Sequence, residues 1–248
     1  MAKFSFHCQN YKASQLNGID RHNRRLNKNY VSNPDIDTDR SVNNRIYISP
    51  EKSLYQDCKA KIHKEVIANG GRVTKISNWV TECIFSYPEE LPIERMDEYF
   101  YIIIEYMEKH FEKENIIEAV AHLDEGGLPH LHLDIVPITL DKKLSSKKLI
   151  TREFIMSVHN ELPRILRENA FEVERGEETT EKGKSGRSAR QYKKDMDLEA
   201  KKIYNKIDDM VEEYNDLVER YNQLCEDCKQ LEYGNYQRAQ MIVAELVR

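Results

Sequence analysis

A chain of 248 residues that is 40% hydrophobic and 33% charged, with 9 Gly and 7 Pro, is too apolar for global disorder and too poor in Gly and Pro for a collagen-like or low-complexity protein. No stretch approaches the roughly 20 apolar residues of a membrane helix; five scattered cysteines (Cys8, Cys58, Cys83, Cys225, Cys228) and the lack of a charged leader before an apolar run at the N-terminus fit a reducing, cytoplasmic setting. The net charge of −5 is uneven, with 13 Asp/Glu against 7 Lys/Arg in 195–248 but 8 Lys/Arg against 4 Asp/Glu in 1–45, which predicts two parts with different partners.

In chain order, Lys3 to Gln9 alternates, with Phe4, Phe6 and Cys8 on one side, and reads as a half-buried strand. Residues 21–25 form an exposed basic segment. Leu54, Cys58, Ile62 and Val66 have helical spacing within Pro50 to Ala68, and Gly70-Gly71 stops that helix. Val73 to Tyr87 is β-rich up to Pro88, and Pro92 opens a long helix from Ile93 to Phe111. Ile116 to Leu123 and His130 to Ile138 are short apolar runs joined by a turn containing Gly126, Gly127 and Pro129, the pattern of a hairpin. Thr151 caps a helix to Asn169. Strands in neighbouring hairpins separated by single helices predict an α+β domain, with helices packed on an antiparallel sheet, over 1–176.

Residues 177–194 read as a basic linker with two glycines and two serines. In the tail, 195–248, the residues Ile203, Ile207, Met210, Tyr214, Leu217, Tyr221, Leu224, Cys228 and Leu231 follow one another at alternating spacings of 4 and 3. A repeat of 3.5 residues per turn predicts a long helix with a left-handed coiled-coil seam; an amphipathic helix packed on its own head domain is the alternative. Gly234-Asn235 reads as the end of that helix, with a short further one after it. Cys225 and Cys228 fall inside the repeat and read as packing residues.

The chemistry concentrates in the hairpin. Side chains on a strand alternate with period 2, so His130, His132 and Asp134 share one face while Leu131, Leu133 and Ile135 face the core. His-x-His alone is ordinarily the polar side of an exposed strand. Here the antiparallel partner strand sets His122 beside the pair, at a cross-strand spacing of roughly 5 Å. Three neutral imidazoles converging on one point make a divalent-metal site with open positions, where a substrate oxygen binds. Glu125, in the turn, is placed to add an oxygen or to orient an imidazole. Asp134 reads as a solvated or hydrogen-bonded carboxylate further down the strand. Lys142, Lys143, Lys147 and Lys148 form a basic patch beyond the hairpin, fit for leading DNA to the site or simply for solvation.

His122-x-Asp-Glu followed by Pro129-His130-x-His132 resembles the metal-binding motif of plasmid mobilisation relaxases of the MobV (Mob/Pre) type, in the HUH endonuclease class. Arg21-His22-Asn23-Arg24-Arg25 resembles the family's N-terminal His-x-x-Arg motif; Leu144 to Lys147, Glu161 to Arg164 and Phe171 to Gly176 are also similar, so the likeness covers about 1–195. The loop from Glu125 to Pro129 is one residue longer than the family pattern, and the family's Asn-Tyr pair stands here as Asn44-Arg45. The resemblance implies a relaxase that nicks and rejoins one strand at the transfer origin of a mobilisable plasmid or element, through a covalent 5′-phospho-enzyme, with Mn²⁺ or Mg²⁺ as cofactor. It implies His22 as nucleophile, with Tyr11 and Tyr30 as rivals, Arg25 as a phosphate or transition-state contact, and Arg21, Arg24, Asn44 and Lys147 as DNA contacts. The partners expected are origin DNA, single-stranded or as a hairpin, and a second copy or another transfer protein along the tail. Two other readings fit the same residues: a rolling-circle initiator or transposase, and a non-catalytic DNA-binding scaffold holding structural zinc.

Overall fold

The computed structural model describes residues 1–27, 30, 33–176 and 189–246. Contacts divide the chain into Met1–Glu178 and Thr179–Arg248. The first unit holds a five-stranded antiparallel sheet of β2 (Phe6–Lys12), β3 (Arg45–Ile48), β4 (Asn78–Ser86), β5 (Ile116–His122) and β6 (His130–Ile135), in the spatial order β2-β4-β6-β5-β3. A separate parallel pair joins β1 (Ala2–Phe4) to β7 (Val173–Arg175). The alternating run at the N-terminus is therefore two strands broken at Ser5, a break that its unbroken alternation hides. Among the described residues, only β5 and β6 form a hairpin of sequence neighbours; the other pairings are non-local, which corrects the expectation of neighbouring hairpins.

Each sheet face has its own core. On one, Phe6, Cys83, Phe85, Leu131, Leu133, Ala119 and Ala121 pack against α3 (Met96–His110) and α5 (Arg152–Glu168), whose Tyr99, Phe100, Ile103, Val158, Leu162 and Leu166 are buried. Thr151 caps α5 as expected, accepting the amide of Phe154 at 3.1 Å. On the other face, α1 (Leu16–Asn23) and α2 (Leu54–Glu65) cover Val80 and Val136 through Leu16, Leu54, Cys58 and Ile62. The segment read as exposed and basic is thus the end of a helix, and its Asn23 is buried. Helix α1 escapes a pattern search because it offers only Leu16 and Ile19 as apolar residues and carries Gly18 and no capping side chain. The short α4 (Ser146–Leu149) precedes α5.

In the second unit, α6 runs from Ala189 to Leu246. It begins within the stretch read as linker, whose residues 177–188 lie outside the described residues. It also continues through Gly234-Asn235: an interior glycine costs a helix only about 1 kcal/mol, too little to end one with good helix formers on both sides. Its heptad residues are exposed, Ile207 at 48% and Met210 at 68%. No helix among the described residues is long and apolar enough to cross a membrane.

Candidate functional site

The register of the sheet builds the site. His130 of β6 stands opposite His122 of β5 and Ser86 of β4, and His132 stands opposite Ile84 and Val120. The faces alternate as the sequence predicts, with Leu131 and Leu133 in the α3–α5 core. Gly127, at φ 131°, supplies the backbone angle that the hairpin turn needs. The rings of His122, His130 and His132 lie with centroids 4.6 to 5.6 Å apart.

Each ring is held by one nitrogen. His122 Nε2–H donates to the carbonyl of Asn23 (3.1 Å), His130 Nδ1–H to the carbonyl of Leu128 (2.9 Å) and His132 Nδ1–H to Glu82 (2.7 Å). These partners only accept, so the proton sits on the bonded nitrogen and the other nitrogen keeps its lone pair, the form in which histidine ligates metals. Two of those remaining nitrogens, His122 Nδ1 and His132 Nε2, are buried without a hydrogen-bond partner. The donor set therefore fits a divalent cation. Burial lowers His122 to about 3 and His130 to about 4, keeping both neutral. Burial also opposes charge on His132, but the Glu82 carboxylate outweighs it and raises that ring. Glu82 in turn accepts the hydroxyl of Tyr11 at 3.0 Å, and burial together with this carboxylate raises the tyrosine.

α1 brings in the remaining groups. The ring of His22 stands edge-on to His122 at 5.2 Å and to His132 at 5.8 Å. Its Nε2 lies 3.1 Å from Glu125 Oε1, and its Nδ1 lies 3.4 Å from Arg25 Nη1. Because Arg only donates and the carboxylate only accepts, Nδ1 carries the lone pair. The helix ends in a Schellman turn, Leu26 N–H to the Arg21 carbonyl and Arg25 N–H to the His22 carbonyl, with Arg25 at φ 53° where glycine is usual. That strained angle folds the guanidinium back onto Asp124 (2.7 Å) and Glu125 (2.7 Å). Burial works against charge on both carboxyls. The bonds from Arg25 and Ser41 to Asp124, and those from His22 and Arg25 to Glu125, hold them well below the usual carboxylate range.

From its motif, Arg25 is expected to contact a phosphate or the transition state. In this structure its side chain is 9% exposed and engaged by two carboxylates, which orders the turn that carries Glu125. Arg25→Met leaves both carboxylates without their cation and is expected to cost about 3–5 kcal/mol of stability, read as a lowered denaturation midpoint. An unchanged midpoint would show that the pair is not anchored by Arg25.

The other expected residues divide. Arg21 is exposed and bonds Asn27, and Arg24 reaches Asp20 and the Lys52 carbonyl. Asn44 accepts the amide of Leu123, bracing the hairpin. The Arg25 guanidinium lies 5.7 Å from the centre of the Tyr30 ring. Lys147 is not brought to the cluster. It lies on α4, whose Ser146 bonds Thr81 opposite Ile135, at the other end of β6 from His130. Around it, Lys142 pairs with Glu65 while Lys143 and Lys148 share Asp141, so two carboxylates offset part of the patch's charge. Of the two alternatives for Asp134, the structure shows the hydrogen-bonded one: it is fully buried and accepts from Asn23 at 3.4 Å.

The sequence analysis assigns no role to four residues of the site: Glu82, Asp124, Glu118 and Asn23. Glu82 and Glu118 had a visible signal, a carboxylate alone in an apolar strand, with Glu118 in phase with His122. Burial lifts Glu118 to about 7 from an ordinary 4.5, and raises Asp134 well above its ordinary value beside Glu82 and Glu118. A carboxyl raised by folding stabilises the fold while protonated, and that contribution is lost as pH climbs from 4.5 through about 7. Glu118→Gln is therefore expected to match wild type near pH 5 and to melt on the order of 5 °C higher at pH 8; a pH-independent difference would contradict the assignment.

The family model described as plasmid recombination enzyme matches residues 1–194. The chain belongs to this Mob/Pre family. A plasmid recombination enzyme of Bacillus thuringiensis is 31% identical over 208 residues, 83% of this chain and 46% of the relative. One of Lactiplantibacillus plantarum is 35% identical over 197 residues, 77% of this chain and 53% of the relative. The chain thus spans about half the length of these curated Mob/Pre relatives. The Mn-bound crystal structure of the MobM relaxase domain with pMV158 oriT DNA at pH 6.8 superposes with a TM-score of 0.70 at 27% identity, covering 79% of this chain and 100% of that one. The Mob/Pre domain is thus the antiparallel sheet packed by helices that the sequence predicts.

Proposed function

We propose that this chain is a relaxase that cuts and rejoins one DNA strand at the transfer origin of a mobile element. The observation that carries the reading is His22 against the three-histidine cluster, with Arg25 and Glu125 ordering it. Membership of the Mob/Pre family and the Mn-bound, oriT-bound MobM domain support it.

In this reading His122 Nδ1, His130 Nε2 and His132 Nε2 hold a divalent ion, Mn²⁺ by analogy with MobM and Mg²⁺ as the other choice. When bound, it supplies positive charge that polarises the scissile phosphate. The neutral ring of His22 attacks phosphorus with its lone pair; a neutral imidazole needs no prior deprotonation near pH 7. The phosphorus–3′ oxygen bond breaks, the 3′ oxygen takes a proton from solvent water to leave as a hydroxyl, and the 5′ phosphate stays on the ring. Glu125, 3.1 Å from the other ring nitrogen, accepts the N–H proton as the ring becomes substituted. Reversal rejoins the strand. Arg21, on the same helix, and Arg24, at its C-cap, are phosphate contacts. Tyr11 is the weaker nucleophile, because its hydroxyl is bonded to Glu82 and its acidity is reduced.

The exposed heptads of α6 support pairing with a second copy; a monomer by light scattering at micromolar concentration would remove that part. For the reaction, the test is incubation with Mn²⁺ and a supercoiled plasmid carrying the element's own origin. Relaxation, with protein attached to the 5′ end of the cut strand, is expected. No cut on the cognate origin, or a tyrosine-linked product, would overturn the reading.

A further inference from the structure

Asn23, the residue after His22, touches three residues on two strands of the site at once. It is the last residue of α1 and 1% exposed. Its Nδ2 donates to Glu118 Oε2 on β5 at 2.8 Å and to Asp134 Oδ2 on β6 at 3.4 Å. Its carbonyl accepts His122 Nε2–H at 3.1 Å. Glu118 and Asp134 take no part in the chemistry above, yet both are fully buried carboxyls on the same sheet face as the histidines, and Asn23 is the donor they share. Burying two acidic side chains is expensive unless they are hydrogen-bonded, so their presence calls for a role.

α1 has only eight residues. Its apolar anchor, Leu16, lies at the opposite end from His22. A short helix packed at its start needs polar contacts to fix its other end; Arg25, just past the helix, ties the turn to Asp124 and Glu125 but not the helix to the sheet strands, and a misplacement of 1 Å at a reacting group costs about 10²-fold in rate. Side chain and carbonyl of one residue close that gap. The amide is fixed to two strands, and the carbonyl sets which nitrogen of His122 carries the proton.

We infer that Asn23 is a positioning residue, a clip that seats the His22 end of α1 on Glu118 and Asp134 and simultaneously fixes the Nε2–H form of His122. This rests on the relaxase reading. Asparagine suits the position: it is a short neutral donor, where lysine or arginine would overreach and aspartate would set a third acceptor against two others.

The test compares wild type, Asn23→Ala, Asn23→Asp, Glu118→Gln and the double variant N23D/E118Q. The readouts are Mn²⁺ affinity by electron paramagnetic resonance, and kcat and KM on a single-stranded oligonucleotide spanning the element's own origin. Asn23→Ala is expected to lower kcat about 10²-fold with KM for DNA nearly unchanged, and to weaken Mn²⁺ binding about 10-fold. Asn23→Asp is expected to be at least as poor. The double variant exchanges donor and acceptor across the same bond, and is expected to recover most of the kcat and Mn²⁺ affinity of Glu118→Gln alone. A general packing role would not recover on this exchange. An Asn23→Ala protein that binds Mn²⁺ and nicks like wild type, or a double variant that unfolds or is no better than Asn23→Asp, overturns the inference. If wild type itself nicks nothing, the relaxase reading falls, and the Mn²⁺ affinities still decide whether Asn23 holds His122.

Discussion

His22→Ala is expected to lower nicking of origin DNA by at least about 10³-fold, the scale on which removal of a nucleophile is felt, and to abolish the protein–DNA adduct on a denaturing gel. The same variant is expected to bind Mn²⁺ as wild type does, since His22 is assigned to attack and not to ligation. The combination is what discriminates. His22 is in reach of two roles: the nitrogens of His22, His122 and His132 lie within 4.8 Å of one another, as do donor atoms of His122, Glu125 and His130. A His22→Ala protein that loses Mn²⁺ would make the ring a ligand; one that keeps nicking would pass the nucleophile to Tyr11 or Tyr30.

His130→Ala has the complementary signature. It is expected to weaken Mn²⁺ binding by more than about 100-fold, beyond the 10–100-fold typical of losing a group that merely orients a ligand, and to stop nicking with it. The ring is half-buried and its second nitrogen contacts only the carbonyl of Leu128, so the fold is expected to survive the change. Isothermal titration with Mn²⁺ reads the loss. Affinity within a few-fold of wild type would mean that His22, His122 and His132 form the ion site and that His130 serves elsewhere.

How much of this was legible beforehand follows the range of the interactions. The hairpin of β5 and β6 is local, so its period-2 pattern and glycine turn located His122, His130 and His132 on one face without any knowledge of the rest of the sheet. Helices α2, α3 and α5 were legible for the same reason, each bearing its own apolar stripe. The sheet order was not, because β2, β3 and β4 are brought in by contacts between residues far apart in the chain, and β3 is a four-residue edge strand with an exposed Ile46. The same limit hid Glu82 and Asn23. Their roles exist only once β4 and α1 arrive beside the hairpin, whereas Glu125 is adjacent in sequence to the histidines it serves. The motif marks Arg25, but its two carboxylate partners are not legible in it: only the turn at φ 53° reveals that the charge is directed to Asp124 and Glu125.

Anomalous scattering at the manganese edge, from crystals grown with Mn²⁺, tests the central claim most directly. The account predicts a single strong peak coordinated by His122 Nδ1, His130 Nε2 and His132 Nε2, with His22 outside the coordination sphere and facing it. A peak ligated by His22, or one away from the hairpin altogether, would contradict it.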